Sequence, residues 1–435
     1  MRSGELSGDR WIAFRNGGAG HSPLKRLPET WSPTRGITWR SLVPGYGQSC
    51  PVVWRDRLYV TAVQGAQREN CLIYALATDT GKQLWQQKMA STFPTESHYL
   101  VSRAAPTPCL EQDALYVSFE SGDIARLSPR DGQIVWKRSL VRDMGPLVNE
   151  YGLGSSPALT RDSLIILVDH LGSSYLLALD KKSGKTRWKA DREPRKSWTS
   201  PVVVTHEGRE LILVSSNGSV DCYDAAQGTL LWTRSGYTGN IMSSPFVDGD
   251  RVYIGATTAQ RSLAKPGGRT PQESNACLRL TVERNKPGVT PLWEARKATT
   301  DFMSPFVYRD HAYYVTTAGV LYCLDARTGD QRYAERIGAA CWGSPIAAGD
   351  QIYFFGKNGV VSRIKAGPRF EKLGENTLWS ADDPPKPSED YTPKNRAADS
   401  PGAAMGNIDP VLYGAAAVEG ALFLRTGTHL FGVRL

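Results

Sequence analysis

The sequence lacks long apolar runs and the common catalytic signatures. No window of its 435 residues approaches the ~18 consecutive apolar residues that a membrane-spanning helix needs, so we predict no transmembrane segment. The motifs G-x-S-x-G, H-E-x-x-H and G-x-G-x-x-G are absent, which leaves three large enzyme classes without support. The six histidines are scattered without metal-ligand spacing, and we therefore predict neither a metal site nor a catalytic residue.

Paired cysteines and clustered charges are also missing. The seven cysteines form no C-x-x-C pair and none are adjacent, and Cys222, Cys277 and Cys323 fall where other parts of the chain carry small or apolar strand residues. We favour buried free thiols, and a disulfide is the alternative. The formal net charge of +9 is spread without any run of five Lys or Arg, which indicates a basic soluble surface and no nucleic-acid partner.

A hydrophobic leader is absent as well. Residues 1–5 (Met-Arg-Ser-Gly-Glu) begin no apolar segment, and no cysteine that could carry a lipid precedes Cys50. We expect a periplasmic or otherwise extracytoplasmic protein whose leader is absent from this sequence. A cytoplasmic protein is the alternative.

What the sequence does contain is one repeated unit. Residues 155–188 show it in full, with a Ser-Pro start, four short β-like runs joined by turn residues, and a closing Trp188. Similar starts stand at Cys50-Pro51, Ala105-Pro106, Ser156-Pro157, Ser200-Pro201, Ser244-Pro245, Ser304-Pro305 and Ser344-Pro345. The units close, at intervals of 40 to 61 residues, on Trp85, Trp136, Trp188, Trp232, Trp293, Tyr333 and Trp379. A four-stranded unit that recurs is typical of a propeller blade.

The two ends of the chain complete the count. Residues 413–433 hold three runs without a fourth, and residues 36–39 supply a single strand that ends at Trp39. We predict an all-β fold, an eight-bladed β-propeller of four-stranded antiparallel blades, closed where the N-terminal strand pairs with the C-terminal blade. Residues 1–36 form an irregular N-terminal strap and residues 37–435 form the propeller. The closing aromatics, Trp39 included, are assigned a structural role, because each buries on the order of 150–250 Å² between blades.

Length varies on one face of this ring. Insertions fall in the inter-blade segments 86–104, 137–154, 294–302 and 380–412 and in the loop 256–274, and alternating strand direction places all of them on the same face. Residues just before each inner strand should line the channel mouth there, where mixed charges and aromatics suit a polar ligand or a partner's loop. The candidate binding residues are Gln48, His98, Arg103, Glu150, Tyr151, Lys196, Trp198, Asn240, Asp301, Phe302 and Trp342. The other interpretation is that these residues satisfy exposed backbone; Trp198 and Trp342 favour binding because neither closes a blade.

The repeat resembles that of the PQQ-like (pyrroloquinoline-quinone-type) β-propeller family, which runs Ala-x-Asp-x-x-Thr-Gly-x-x-x-Trp. Residues 178–188 match it as Ala-Leu-Asp-Lys-Lys-Ser-Gly-Lys-Thr-Arg-Trp, and residues 75–85 and 323–333 match it nearly. The resemblance covers about residues 37–435. The opening stretch, with Trp11 and Trp31, looks like that of bacterial PQQ-binding-like repeat proteins, planctomycete ones included.

Two functions follow from this resemblance. Quinoprotein dehydrogenases of the family hold PQQ and Ca²⁺ at the ring centre, with PQQ between a Trp and a disulfide of adjacent cysteines. This sequence has no adjacent cysteines and no C-x-x-C-H haem motif. A non-catalytic relative, the propeller lipoprotein of the outer-membrane protein assembly machinery, works through protein contacts. We therefore expect a monomeric, non-catalytic binding or scaffold propeller without a resident cofactor. The alternative is a PQQ-dependent oxidoreductase with PQQ and calcium at the channel mouth.

Overall fold

The computed structural model describes residues 7–96, 101–258, 269–338, 340–386 and 409–435. Two strands precede the first complete blade, β1 (Arg10–Trp11) and β2 (Ile37–Leu42), and they are separated by a 3-10 turn at Phe14–Asn16. The described ranges hold one short α-helix, α1 (Leu140–Met144), and no helix in them has the length and apolar content to cross a membrane.

The remaining strands form blades, each a four-stranded antiparallel sheet whose strands follow one another from the channel outwards. Blade 1 consists of β3 (Val52–Trp54), β4 (Arg57–Gln64), β5 (Asn70–Ala77) and β6 (Gln83–Ala90), and blade 2 consists of β7 (Cys109–Glu111), β8 (Ala114–Ser118), β9 (Asp123–Leu127) and β10 (Ile134–Ser139). Blade 3 consists of β11 (Ala158–Leu159), β12 (Ser163–Val168), β13 (Ser174–Asp180) and β14 (Thr186–Arg192), and blade 4 consists of β15 (Val202–His206), β16 (Arg209–Ser216), β17 (Ser219–Asp224) and β18 (Leu230–Ser235). Blade 5 consists of β19 (Phe246–Asp248), β20 (Arg251–Ile254), β21 (Ala276–Glu283) and β22 (Lys286–Glu294), and blade 6 consists of β23 (Phe306–Tyr308), β24 (His311–Val315), β25 (Val320–Asp325) and β26 (Gln331–Arg336). Blade 7 consists of β27 (Ile346–Ala348), β28 (Gln351–Phe355), β29 (Val360–Lys365) and β30 (Lys372–Thr377). Blade 8 consists of β31 (Leu412–Val418), β32 (Ala421–Thr426) and β33 (His429–Arg434), with β2 as its outer strand. The predicted eight-bladed propeller is confirmed.

The ring is sealed between the two ends of the chain. β2 pairs antiparallel with β33, with Trp39 opposite Gly432 and Leu42 opposite His429. Trp39 stacks on Phe423 at a centroid distance of 5.8 Å, so an N-terminal aromatic is part of the C-terminal blade. The predicted closure by the N-terminal strand is confirmed.

The closing aromatics join each blade to the next. All of the predicted closers except Trp379 sit at a register shift in the outer strand, as at Trp188, which pairs with Ala178 just before the shift. The indole N–H then donates to a backbone carbonyl of the following blade at 3.0–3.1 Å. These bonds run from Trp39 to Thr78, Trp85 to Pro129, Trp136 to Lys181, Trp188 to Ala225, and Trp293 to Ala326.

The glycine of the repeat lies under the neighbouring indole. Gly228 has a φ of +73°, and a Cβ added there would lie 2.4 Å from the ring of Trp188. Only glycine combines this left-handed conformation with so close an approach. The Asp of the repeat shapes the same turn: the Asp180 carboxylate accepts from the backbone N–H groups of Lys182 and Ser183 and from the Ser183 hydroxyl, and the hydroxyl bond is the main cause that lowers the pKa of Asp180.

Two of the predicted closers depart from this pattern in their partners. Blade 5 replaces the glycine turn with a hairpin at Arg284 and Asn285, and the buried indole N–H of Trp232 finds no acceptor within the described residues. Tyr333 packs edge-on against Phe370 of the next blade, at 5.5 Å between ring centroids.

The assignment of Trp379 as the closer of blade 7 is corrected by the strand register. β30 ends at Thr377, and the residue paired at the register shift is Gly374, opposite Arg363. Trp379 lies beyond the strand, packed between Gly359 of its own blade and Phe431 of blade 8. Blade 7 therefore lacks an aromatic at its closing position.

The cysteines occupy small-residue positions, as predicted. Cys222, Cys277 and Cys323 pair directly opposite Trp232, Trp293 and Tyr333, where blades 1 and 3 carry alanine. All seven cysteines are free, and burial raises the pKa of each of these three thiols to about 12. Their role is to leave room for the aromatic closer.

The segment before β2 fills one end of the central channel. β1 adds to the inner edge of blade 1 by pairing Trp11 with Val53. The segment then crosses the axis, where the Arg15 guanidinium donates to the Pro245 carbonyl at 2.6 Å in blade 5, and leaves along blade 7, where the Ser22 N–H donates to the Ala347 carbonyl at 2.9 Å. Trp11, Arg15, Leu27 and Trp31 are each at most 3% exposed. The channel is therefore closed at the face of the short turns and open at the other face.

Candidate functional site

The open end of the channel is a cup built from two stacked rings of residues. The lower ring takes one residue from each of seven blades, at the position directly before the proline that begins the inner strand. Its members are Cys50, Thr107, Ser156, Ser200, Ser244, Ser304 and Ser344. Blade 8 has Gly414 at this level, where a Cβ would lie 2.3 Å from the Cys50 sulfur. Phe14 of the N-terminal segment also lines the cup.

Hydrogen bonds link the lower ring from blade to blade. The backbone N–H of each member donates to the side-chain hydroxyl of the next, over 2.8–3.1 Å, from Cys50 to Thr107, Thr107 to Ser156, Ser156 to Ser200, Ser200 to Ser244, and Ser244 to Ser304. Four neighbouring serines and one threonine thus satisfy backbone donors that would otherwise be buried without an acceptor. The recurring Ser-Pro start of the repeat is explained by this belt.

The upper ring lies two residues before the lower ring and forms the wall. Its members are Gln48, Ala105, Gly154, Trp198, Met242, Phe302 and Trp342, with Tyr413 from blade 8. The cup encloses about 460 Å³. This volume is within the range of small-molecule and peptide side-chain sites.

Large aromatics stand on two parts of the wall. Trp198 packs on Tyr151 at 5.8 Å between centroids and donates its indole N–H to the Gly152 carbonyl at 2.9 Å. It lies over Gly154, where a Cβ would meet the indole at 3.0 Å, so a glycine in blade 3 makes room for a tryptophan from blade 4.

The second aromatic cluster comes from blades 6 to 8. Trp342 lies 4.8 Å from Phe302 and 5.8 Å from Tyr413 between ring centroids. The Lys357 ammonium sits 4.3 Å above the Trp342 ring, and burial lowers the pKa of Lys357 to about 8. The Tyr413 hydroxyl shares a 2.7 Å hydrogen bond with that of Tyr46.

Of the eleven sequence-predicted site residues, five line the cup: Gln48, Tyr151, Trp198, Phe302 and Trp342. Three others surround it. Lys196 forms a 2.6 Å ion pair with Glu150 and lies 5.8 Å from the Tyr151 ring. The Arg103 guanidinium lies 3.6 Å over Tyr46 and is buried.

Two predicted residues are turned into the protein instead. The Asn240 side chain is completely buried and donates to the backbone carbonyls of Ser216 and Ser219. Asp301 is 4% exposed and accepts from the Thr257 hydroxyl and the Thr317 N–H. Both fix loop backbone at the open face. His98 lies outside the described residues.

Sequence reasoning missed the floor of the cup and part of its wall. The sequence indicates the serines of the lower ring only as the starts of repeats, and blade 2 starts at Thr107-Pro108 instead of the predicted Ala105-Pro106. Phe14 belongs to the segment predicted to be irregular. Tyr413 was read as a strand residue of the last blade. The signal for the serines was present, because seven small residues at equivalent positions before proline must face one another across the axis of a ring.

The chemistry of the cup is defined by its uncharged lining. Within the described residues, its lining contains aromatic, aliphatic, amide, hydroxyl and thiol groups and no carboxylate, imidazole, ammonium or guanidinium. The nearby acids are already engaged, Asp301 as above and Glu120 with Arg68 and the Ala104 N–H. The cup can therefore bind through apolar contact and hydroxyl groups.

The calcium–PQQ pair that dehydrogenases of this fold hold does not fit this cup. Ca²⁺ takes six to eight oxygen ligands, usually including carboxylates. In the ranges the structure covers, no group of three or more His, Cys, Asp or Glu residues is placed to hold a metal ion. The one thiol in the cup, Cys50, has no adjacent cysteine with which to form the disulfide that would stack on PQQ.

Comparison with known proteins agrees with this architecture. Outer membrane protein assembly factor BamB of Moranella endobia is 24% identical over 200 residues, which is 46% of this chain and 46% of that protein. The chain spans about half the length of the curated relatives it matches.

Solved structures show the same fold. BamB from Moraxella catarrhalis superposes with a TM-score of 0.57 at 13% identity, covering 91% of this chain and 96% of that one. Quinohemoprotein alcohol dehydrogenase from Comamonas testosteroni superposes with a TM-score of 0.61 at 10% identity, covering 98% of this chain and 80% of that one. At these identities the likeness establishes architecture and not activity.

A family model described as outer membrane protein assembly factor BamB matches residues 31–158, 172–266 and 285–418. These segments make up most of the chain and include strands from all eight blades. The protein therefore belongs to this family of PQQ-like repeat propellers.

Proposed function

We propose that this protein is a non-catalytic scaffold that binds a partner protein through the cup and its rim, in an extracytoplasmic compartment. The observation that carries the proposal is the uncharged, aromatic-walled lining of the cup. Trp and Tyr are the residue types that dominate binding energy in protein interfaces, because they bury a large area and lose few rotamers.

The rim beside Trp198 supports a protein partner over a small ligand alone. Val148 and Leu171 of blade 3 are 50% and 53% exposed, and the Leu171 N–H donates to the Val148 carbonyl at 3.1 Å, so the two residues form one apolar patch. The Lys196–Glu150 ion pair stands beside Tyr151. An aromatic pocket with an apolar and charged rim is the usual anatomy of an interface.

The family supports the compartment and the partner class that we propose. The BamB relatives are described by name as outer membrane protein assembly factors, and a protein of that assembly is the partner class we propose. The oxidoreductase alternative is less favoured, because no group of His, Cys, Asp or Glu among the described residues is placed to hold calcium.

Site-specific photo-crosslinking tests the proposal. A photoreactive amino acid is placed at Leu171 on the open-face rim and, as a matched control, at Val135 on outer strand β10. Both side chains are 53% exposed. We expect a discrete adduct with an envelope protein from Leu171 and none from Val135.

The adduct should disappear when Trp198→Ala and Trp342→Ala are combined, while the folded fraction measured by circular dichroism is unchanged. Equal adducts from both positions, or an adduct that survives the double substitution, would contradict a cup-centred interface. Saturable PQQ binding with dye reduction would instead establish the oxidoreductase.

A further inference from the structure

The serines of the cup floor have unused hydrogen-bond donors. Ser156, Ser200, Ser244 and Ser304 each accept a backbone N–H from the preceding blade. Within the described chain, none of their own O–H groups meets an acceptor. Each serine is between 3% and 6% exposed, and all four line the cup. Four hydroxyl hydrogens from four consecutive blades are therefore available to one group at the floor.

The surroundings offer these donors no partner. The lining includes no carboxylate among the described residues, so we look for the acceptor in a group that enters the cup. Because a hydroxyl can rotate its hydrogen towards an acceptor, hydroxyls of this belt can donate to an oxyanion bound at the floor. Hydrogen bonds to a charged acceptor are about twice as strong as neutral ones.

A buried cation lies next to the same floor. Arg15 is 3% exposed and donates to the carbonyl of Pro245, the residue that follows Ser244 of the lower ring. Its Nε and Nη1 atoms are buried without a hydrogen-bond partner in the described residues. The guanidinium contacts the faces of Phe14 and Phe246, at 5.0 and 5.6 Å, and forms no ion pair that the described ranges contain.

A second buried cation lies across the ring. Arg425 is fully buried between blades 8 and 1, where it donates to the Ser49 hydroxyl at 2.8 Å and to the Thr61 carbonyl at 2.5 Å. Its neighbour in the lower ring is Cys50. Burial lowers the pKa of Arg15 and of Arg425 to about 9, so both are charged at neutral pH. Two cations without carboxylate partners place a positive potential at the floor, because uncompensated charge in a low-dielectric interior acts over a long range.

We propose that the floor of the cup is a carboxylate-binding site in which Ser156, Ser200, Ser244 and Ser304 donate to a carboxylate whose stem packs between Trp198 and the Phe302–Trp342 pair. The assignment of that carboxylate to a partner polypeptide rests on the proposed function. The site itself does not, since its donors and cations belong to this chain.

Direct titration tests the site in the full chain. Sodium acetate is titrated at constant ionic strength against sodium chloride, with intrinsic tryptophan fluorescence as the readout, and methyl acetate serves as a neutral analogue of similar shape. We expect a saturable change with acetate and none with methyl acetate. A response to acetate no larger than that to chloride would overturn the proposal.

Substitutions in the lower ring test whether the fluorescence response to acetate comes from its serines. Combining Ser200→Ala with Ser244→Ala should weaken acetate binding at least tenfold, because two charge-assisted hydrogen bonds are lost. Ser200→Thr is the matched control: it keeps a hydroxyl, and Thr107 already occupies the equivalent position in blade 2.

The alanine variant also leaves the Ser156 and Ser200 N–H groups without acceptors, so each protein is first checked for cooperative unfolding. If the alanine variant does not fold, Arg15→Met replaces it, with the same expected loss. Unchanged acetate affinity in a folded alanine or methionine variant would overturn the proposal.

Three short peptides separate the sources of the carboxylate. They are trialanine with a free C-terminus, trialanine amide, and N-acetyl-glutamate amide. Binding of the first alone assigns the site to a chain terminus, and binding of the third assigns it to an acidic side chain. Binding of acetate but of no peptide would overturn the polypeptide assignment. If the protein with both tryptophans intact gives no adduct from Leu171 but still binds acetate, the proposed function is refuted and the carboxylate site stands.

Discussion

The two faces of this ring are formed by opposite ends of the same strands, but one face stabilises the fold and the other carries the candidate binding site. At the closed face, short turns bring a glycine beneath five of the neighbouring indoles, and the N-terminal segment fills the axis. At the open face, longer segments surround a cup whose wall carries half-buried aromatics. The comparison teaches that stability and recognition are separated along the channel axis, so substitutions at the two faces should have separable effects.

The largest expected effect comes from the seal at Trp39. Trp39→Ala removes an indole that is 8% exposed, bonded to Thr78 and stacked on Phe423, and should lower the free energy of unfolding by about 3–5 kcal/mol. Trp379→Ala is the matched comparison, because the sequence assigns both residues the same role. Since Trp379 is half-buried beyond its strand, its removal should cost clearly less. Urea unfolding measures both, and equal losses would contradict the corrected register.

A smaller effect is expected at the glycine turns. Gly228→Ala places a Cβ 2.4 Å from Trp188 at a φ of +73°, which should cost about 1–3 kcal/mol beyond the strain of the positive φ itself. Gly218→Ala at the open face has a φ of +97° and nothing within 4 Å, so it carries the strain without the clash. The difference between the two thermal midpoints isolates the contact. No difference would mean that the indole moves aside freely.

The smallest effect is a pH dependence at the open-face end of the seal. Burial, followed by the positive charge of Arg40, lowers the pKa of His429 to about 4, from 6.5. Between these values the unfolded chain binds more protons than the folded chain, so stability falls as the pH falls from about 6.5 to about 4. His429→Gln should remove this contribution, which partial exposure limits to less than about 1 kcal/mol. The urea midpoints of the two proteins at pH 7 and pH 4.5 measure it; parallel shifts would refute the assignment.

The fold was predictable because the residues of its repeat each favour one local structure. The turn Asp180 to Gly184 and the closer Trp188 specify a turn, a left-handed glycine and an aromatic at a register shift. Trp379 misled the prediction, because blade 7 has Gly374 where the other blades have an aromatic. A count of aromatics cannot detect a register that only strand pairing defines.

The site was predictable where the repeat fixes the number of residues between a wall residue and the lower ring. Gln48, Trp198, Phe302 and Trp342 each stand two residues before the lower ring, and all four line the wall. Asn240 and Asp301 stand four and three residues before it, where the backbone has turned their side chains into the protein. Tyr151 stands five residues before it and reaches the cup through the longer loop of blade 3. The contribution of Phe14 could not be foreseen, because no periodicity links the N-terminal segment to the axis.

The pairing of β2 with β33 also imposes an order in time. Residues 37–42 leave the ribosome long before their hydrogen-bonding partners, residues 429–434, are made. Until then Trp39 has no blade to complete, and Gly81 of blade 1 lacks the indole that covers it in the folded protein. Contacts of such sequence separation are slow to form, because the entropy of closing the loop must be overcome first. During synthesis the nascent chain is thus an open arc with two unpaired edges, and these edges are the surface that a chaperone would have to shield until the last strand emerges.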